Sequence, residues 1–186
     1  MCGIAGVFAK KNKPIAVADL EYFLDTMRHR GPDGHGTWIS ESRRLGLAHT
    51  RLAIIDLDDR ATQPMSDDTG WTIAFNGEIY NYKALRAELT QLGFRFQTSS
   101  DTEVVLNAYR CWGERALSIL RGMFAFAIAA PNRDEIFLAR DPFGIKPLYF
   151  SADDEYVRFA SEIAALRRFS QREASTPALI DLLVWG

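Results

Sequence analysis

Apolar periodicity changes along this chain in blocks, strand patterns in runs and helical patterns in pairs, and this block order limits the fold more than any other feature. Residues 3–8 are a continuous apolar stretch of strand length, after which Val17, Leu20, Phe23, Leu24 and Met27 recur at helical spacing until about His29. Arg30-Gly31-Pro32-Asp33-Gly34-His35-Gly36 is turn chemistry, with Pro to fix φ and Gly for positive φ. Strand patterns follow at 36–39 and 45–55, then at 71–75 and 79–80 on either side of Asn76-Gly77. Asn81 is placed to cap a helix carrying Leu85, Leu89 and Leu92 and stopped by Gly93. Ser100-x-x-Glu103 is a capping box, and the helix it opens runs to about Trp112 before Gly113. Leu117 and Leu120 suggest one more helical turn, and strand patterns close the chain at 123–130, 135–140, 147–151 and 156–160, with turns at 131–134 and 152–154. A parallel sheet would need a helix between successive strands, so the expectation is α+β with mostly antiparallel sheets.

Composition narrows the function classes. The 186 residues, 47% hydrophobic and 25% charged, suffice for one ordinary domain or two small ones and argue against disorder. Lys+Arg 22 against Asp+Glu 24, with no basic run, argue against nucleic acid or an anionic membrane surface and leave a small molecule or another protein as partner. Cys2 and Cys111 cannot build a disulfide framework, and no Cys/His cluster has zinc spacing, so a cytoplasmic setting is expected. The longest apolar run, 123–130, is far shorter than the roughly 20 residues of a membrane helix. The apolar stretch 2–9 precedes Lys10, Lys11 and Lys13, the reverse of a secretory signal, and Cys2 lacks the upstream apolar segment of a lipoprotein. Residues 167–176 turn polar and 177–185 resume an apolar helical pattern that stops at Gly186, so a cut just inside a following domain is expected.

Familiar catalytic signatures are missing: no G-x-S-x-G, no Walker loop, no G-x-G-x-x-G, no H-E-x-x-H. His29, His35 and His49 lack the i, i+4 spacing of a metal-binding helix face. Cys2 has chemical promise, because removal of Met1 ahead of a small residue leaves a thiol and an α-amine on one residue. An α-amine titrates near 7.7–8.0, so roughly a third is free base at pH 7.5, a ready general base beside a strong nucleophile. Most cysteines in second position carry no chemistry. Asn76-Gly77, between alternating Ile73, Phe75 and Ile79, reads as a type I′ hairpin turn, or else as amides aimed at an oxyanion. His49 and Arg51 share strand parity with Leu45, Leu47 and Ile55, so an apolar face turns polar there, and a buried Arg51 needs a structural or a ligand carboxylate. Asp101 fits as a first-turn acid favoured by the helix dipole, and Cys111, on one face with Val104 and Ala108, as a small buried residue.

The order of these motifs is more specific than any one of them. Met1-Cys2-Gly3-Ile4-Ala5-Gly6, His29-Arg30-Gly31-Pro32-Asp33-Gly34, His49-Thr50-Arg51-Leu52-Ala53-Ile54, Phe75-Asn76-Gly77-Glu78-Ile79-Tyr80-Asn81, Ser100-Asp101-Thr102-Glu103 and Arg140-Asp141-Pro142-Phe143-Gly144-Ile145-Lys146-Pro147-Leu148-Tyr149 together resemble class II glutamine amidotransferases of the asparagine synthetase branch, over about residues 2–166. The resemblance implies an N-terminal-nucleophile hydrolase fold, a four-layer αββα sandwich of two mostly antiparallel sheets, and hydrolysis of L-glutamine to glutamate and ammonia. It implies Cys2, freed of Met1, as nucleophile with its α-amine as base, and Asn76 and Gly77 as oxyanion hole. By the same resemblance Arg51 takes the substrate α-carboxylate, Glu78 and Asp101 its α-ammonium, and Leu52, Ala53, Ile54 and Ile55 make backbone contacts. No cofactor or metal is implied for this domain. ATP and Mg are expected only in a C-terminal synthetase domain or subunit beyond about residue 166, with residues 167–186 as linker and its first segment and a homodimer conceivable for the full-length protein. The acceptor stays open between aspartate and a sugar or peptide carboxylate, as does a non-catalytic glutamine-sensing module.

Overall fold

The computed structural model describes residues 1–52, 62–131 and 133–169. In chain order the first half contains β1 (Gly3–Ala9), α1 (Val17–Met27), β2 (Gly34–Ile39), β3 (Leu45–Arg51), β4 (Met65–Ser66), β5 (Thr72–Ile79) and α2 (Tyr82–Gln91). The second half contains α3 (Asp101–Trp112), α4 (Ala116–Ile119), β6 (Gly122–Ala129), β7 (Ile136–Arg140), β8 (Tyr149–Ala152), β9 (Tyr156–Ala160) and α5 (Ile163–Leu166). The strands form two sheets, ordered β2-β3-β1-β9-β8 and β4-β5-β6-β7, and every pairing within them is antiparallel.

Strand alternation sorts the side chains into three apolar layers. On β1 and β3, Ala5, Val7, Ala9 and Ala48 turn outward to Leu20, Phe23 and Met27 of α1 and to Ala165 and Leu166 of α5. On β5 and β6, Ile73, Phe75, Ile79, Phe124, Phe126 and Ile128 turn the other way, to Leu85 and Leu89 of α2 and Val104, Val105 and Ala108 of α3. Between the sheets, Ile4, Leu45, Leu47 and Phe159 of the first meet Ala74, Ala125, Ala127 and Ala129 of the second. Large side chains against alanines let the sheets interdigitate. The result is the expected four-layer αββα sandwich, with strand faces as the common core.

Local signals hold where the chain punctuates itself. Gly113 ends α3 with φ 59°, open to glycine without strain. Ser100 caps α3, its Oγ accepting the Glu103 amide at 3.3 Å, but the reciprocal half of the box is redirected. Glu103 accepts instead from the amides of Gln97 (2.7 Å) and Thr98 (2.8 Å), tying down the loop ahead of the helix. Two expectations are overturned. Asn76-Gly77 is not a hairpin turn: the segments on either side of it are one strand, β5, paired along its whole length with β6. Cross-strand pairing wins over local turn propensity because Gly77 lies so close to β6 that a Cβ there would sit 2.4 Å from the Met123 carbonyl oxygen. Cys111 is half-buried against the helix-side core rather than fully enclosed. Ile55, at the end of the 45–55 strand pattern, and the apolar segment after residue 177 lie outside the described residues.

Candidate active site

One end of the layer between the sheets is polar. Following the alternation of β1 back from Ile4 brings Cys2 to the intersheet side, and following β3 forward from Leu45 and Leu47 brings His49 and Arg51 there. On β5 the alternation from Ala74 places Asn76 and Glu78 on the facing side. The sheets are joined here by His49, whose Nε2 donates to the Phe75 carbonyl at 3.2 Å. His49 is fully buried, and burial, with Arg51 nearby, lowers its pKa to about 4 against the opposing pull of that bond. It is therefore neutral near pH 7, with Nδ1 as a buried acceptor that meets no partner among the described residues.

Cys2 is anchored from two directions. Its Sγ accepts the Leu52 amide at 3.3 Å and lies 3.5 Å from the Leu52 carbonyl oxygen, a setting that serves thiolate and thiol alike. Its carbonyl accepts from Arg30 Nε at 3.0 Å, and Arg30 NH1 in turn pairs with Glu162 at 2.9 Å. His29 Nε2 reaches the same carboxylate oxygen at 2.8 Å. Burial pushes the Glu162 carboxyl up, but Arg30 and His29 outweigh it and hold it below its ordinary range. The short turn Arg28–Arg30 after α1 and the residue pair after β9 thus fix the position of the chain's second residue.

Donors converge on the facing strand. In an antiparallel strand alternate amides point the same way, so those of Phe75, Gly77 and Ile79 line one edge of β5. The Phe75 amide is taken by Gln63 Oε1 at 2.6 Å and the Ile79 amide by Asp101 Oδ2 at 3.0 Å, with the Gly77 amide between them. Beside it, Asn76 Nδ2 is buried and finds no acceptor among the described residues. Such an orphaned donor is rare and costly, about 1–3 kcal/mol, unless a ligand supplies the acceptor. Asp101 departs from its dipole-stabilised expectation: burial raises its pKa to about 6 and Glu78 pushes the same way, outweighing the amides of Ile79, Asp101 and Thr102. A buried carboxyl of this kind favours a cationic partner.

Beside the Arg30–Glu162 pair, the arrangement brings to one end a thiol, two candidate oxyanion donors, the Arg51 guanidinium and the Glu78 and Asp101 carboxylates, the complement of a zwitterionic amino acid bearing a carbonyl. Of the residues singled out in the sequence, Cys2, Arg51, Leu52, Asn76, Gly77, Glu78 and Asp101 are placed around this end, while Ala53, Ile54 and Ile55 lie outside the described residues. Sequence reasoning gave no role to Gln63 or Glu162, or to Arg30 within its motif, since each acts through a contact distant in sequence. Among the described residues no cluster of His, Cys, Asp or Glu side chains is arranged to hold a metal ion, and no helix is long and apolar enough to cross a membrane.

The chain matches the family described as "Glutamine amidotransferase domain" over residues 1–185. It belongs to that family. It is a class II glutamine amidotransferase domain, and asparagine synthetases are among its relatives. It is 49% identical over 173 residues to asparagine synthetase [glutamine-hydrolyzing] 1 of Bacillus subtilis, covering 89% of this chain and 26% of that protein. To asparagine synthetase B of Escherichia coli it is 41% identical over 168 residues, covering 89% and 30%. To amidase chry2 of Gibberella zeae it is 38% identical over 180 residues, covering 91% and 27%. The chain therefore spans between about a quarter and a third of the length of these relatives. Its fold matches that of the glutamine phosphoribosylpyrophosphate amidotransferase of B. subtilis, at TM-score 0.71 and 24% identity over 89% of this chain and 43% of that one.

Proposed function

We propose that this domain hydrolyses L-glutamine with Cys2 as nucleophile, once Met1 is removed, and passes the ammonia to an ATP-dependent synthetase. The observation that carries the reading is the Cys2 thiol held on the Leu52 amide at the same end of the intersheet layer as the buried, orphaned Asn76 Nδ2. The sulfur attacks the side-chain carbonyl carbon of glutamine, and the charge developing on oxygen is held by Asn76 Nδ2 and the Gly77 amide. The Cys2 α-amine, having taken the thiol proton, delivers it to the leaving nitrogen as the C–N bond breaks and ammonia departs. Water, deprotonated by the same amine, then cleaves the glutamyl thioester to give glutamate and the free thiol. Arg51 holds the α-carboxylate, Glu78 and Asp101 the α-ammonium, and the backbone of Leu52, Ala53, Ile54 and Ile55 the remainder of the substrate.

No cofactor is required by this half-reaction, because nucleophile, base and oxyanion donors all come from the chain. ATP and Mg serve the synthetase step, in a domain or subunit that follows residues 1–166, with 167–186 as the connection. Phe143 and Ile145, 88% and 55% exposed on one loop, suit a face that such a partner covers. Aspartate is the favoured acceptor, making asparagine in the cytoplasm, with a dimer of the full-length protein compatible with this arrangement. The relative named amidase chry2 keeps a second reading in view, with another carboxylate as acceptor. Cys2→Ala, or a tag that blocks Met1 removal, should abolish glutamate release while the melting temperature stays put; undiminished turnover in either would sink the mechanism.

A further inference from the structure

The loop after β7 is held more tightly than its exposed surface requires. The Asp141 carboxylate accepts four backbone amides: Phe143 and Ile145 at 3.2 and 2.9 Å, Phe124 and Lys146 at 3.3 and 3.0 Å. Burial alone would raise its pKa, yet these four donors bring it below the ordinary carboxylate range. Arg140 adds a bond from Nε to the Lys146 carbonyl at 2.8 Å. Phe143 and Ile145 face outward from this knot, whereas Lys146 is 7% exposed and turns in. Its ammonium meets the thioether of Met1, Nζ to Sδ at 3.3 Å, and no carboxylate among the described residues. A thioether is a weak acceptor, a poor partner for a buried cation, and it belongs to the one residue that the proposed reaction requires to be removed.

The charged groups around the Cys2 terminus come from every neighbouring element. Arg30, with His29 and Glu162, lies on the α1 and α5 side and is neutralised in part by that carboxylate. Arg51 comes from β3, Glu78 from β5 and Asp101 from α3. Lys146 is the cation delivered by the Asp141 knot.

We propose that Lys146 is a positioning residue for the nucleophile: once Met1 is gone, its ammonium lies beside the Cys2 α-amine and sulfur, disfavouring a proton on the amine and favouring thiolate. The inference rests on the glutaminase reading. A like charge within about 4–6 Å moves an amine's titration by roughly one pH unit or more, so a cation placed there extends activity to lower pH.

The test compares wild type, Lys146→Met and Lys146→Arg in the fullest form of the protein that can be purified, with Met1 loss verified by intact mass and folding by melting temperature. Two readouts are taken from pH 5.5 to 9.5: kcat/KM for glutamate release and the rate of Cys2 alkylation by iodoacetamide. In Lys146→Met both acid limbs should move up by about one pH unit, a loss of about tenfold at pH 6 and less than about twofold at pH 9, and Lys146→Arg should restore them. Superimposable profiles, or a loss equal at every pH and not rescued by Arg, would overturn the role. Absence of glutamate release in processed wild type would count against the glutaminase reading alone, since the alkylation profile still reports on Lys146.

Discussion

The two ends of the layer between the sheets are built from the same strands and filled in opposite ways. At one end Leu45, Leu47 and Phe159 press against Ala74, Ala125 and Ala127. At the other, two residues further along β3 and β5, the same faces present His49, Arg51, Asn76 and Glu78, with Cys2 at the start of β1. The apolar end is a core that fixes the separation of the sheets. The polar end takes that separation as given and sets a thiol opposite an unpaired donor. The site is thus a place where sandwich packing is left unfinished, and the stability it forgoes is borne by the alanine-lined half.

Mutations at the two ends should therefore separate stability from turnover. The largest stability effect is expected at the apolar end, where Leu47→Ala should cost about 2–5 kcal/mol in denaturant unfolding, through lost burial and a cavity, with KM for glutamine nearly unchanged. A KM that rises in step would show that the two ends are not separable. Asn76→Ala should do the reverse, lowering kcat for glutamate release by about 10²- to 10³-fold. Its melting temperature should change little, since the donor removed has no partner among the described residues.

Asp101→Asn sharpens the contrast by setting function against stability. The native carboxyl binds its proton more tightly folded, at about 6 against an ordinary 3.8, so its ionisation destabilises the fold as pH rises across that window. The variant should raise KM, through loss of the anion for the substrate ammonium, yet stabilise the unliganded domain by about 1–3 kcal/mol at pH 7.5. That gain should fade as pH falls from about 6 to 4. The smallest effect is in the pH slope itself. His49 resists protonation until about pH 4 against an ordinary 6.5, so the stability it contributes above 6.5 is lost as pH falls between those values. It opposes Asp101 over nearly the same range. Wild type should accordingly show a shallow slope in melting temperature, and His49→Gln, which keeps a donor for the Phe75 carbonyl, a clear decline from pH 4 to 6; parallel slopes would mean that His49 is charged in the fold.

Much of this architecture was legible in local pattern. The periodicities of β1, α1 and α3, the Ser100 cap and the Gly113 stop each follow from residues within a turn of one another. The polar switch at His49 and Arg51 could be read from strand parity, and the candidate site residues from the order of the motifs. What escaped depends on contacts distant in sequence. Asn76-Gly77 has the local chemistry of a turn, and only the closeness of β6 makes Gly77 a strand residue. The burial that raises Asp101 is set by packing at the start of α3, where its Oδ2 also accepts the Ile79 amide of β5. Gln63 on the β5 edge, Glu162 behind Arg30 and Lys146 against Met1 carry no periodic signal, since each is defined by a partner across the fold.

The most direct test of a Cys2-centred glutaminase is the intact mass of the purified protein before and after a glutamine-analogue alkylator, with glutamate release followed in parallel. Loss of Met1, one adduct mapped to Cys2 and turnover abolished in proportion to labelling are expected. Turnover that survives complete labelling of Cys2, or an adduct on Cys111 that accounts for the inhibition, would contradict the claim.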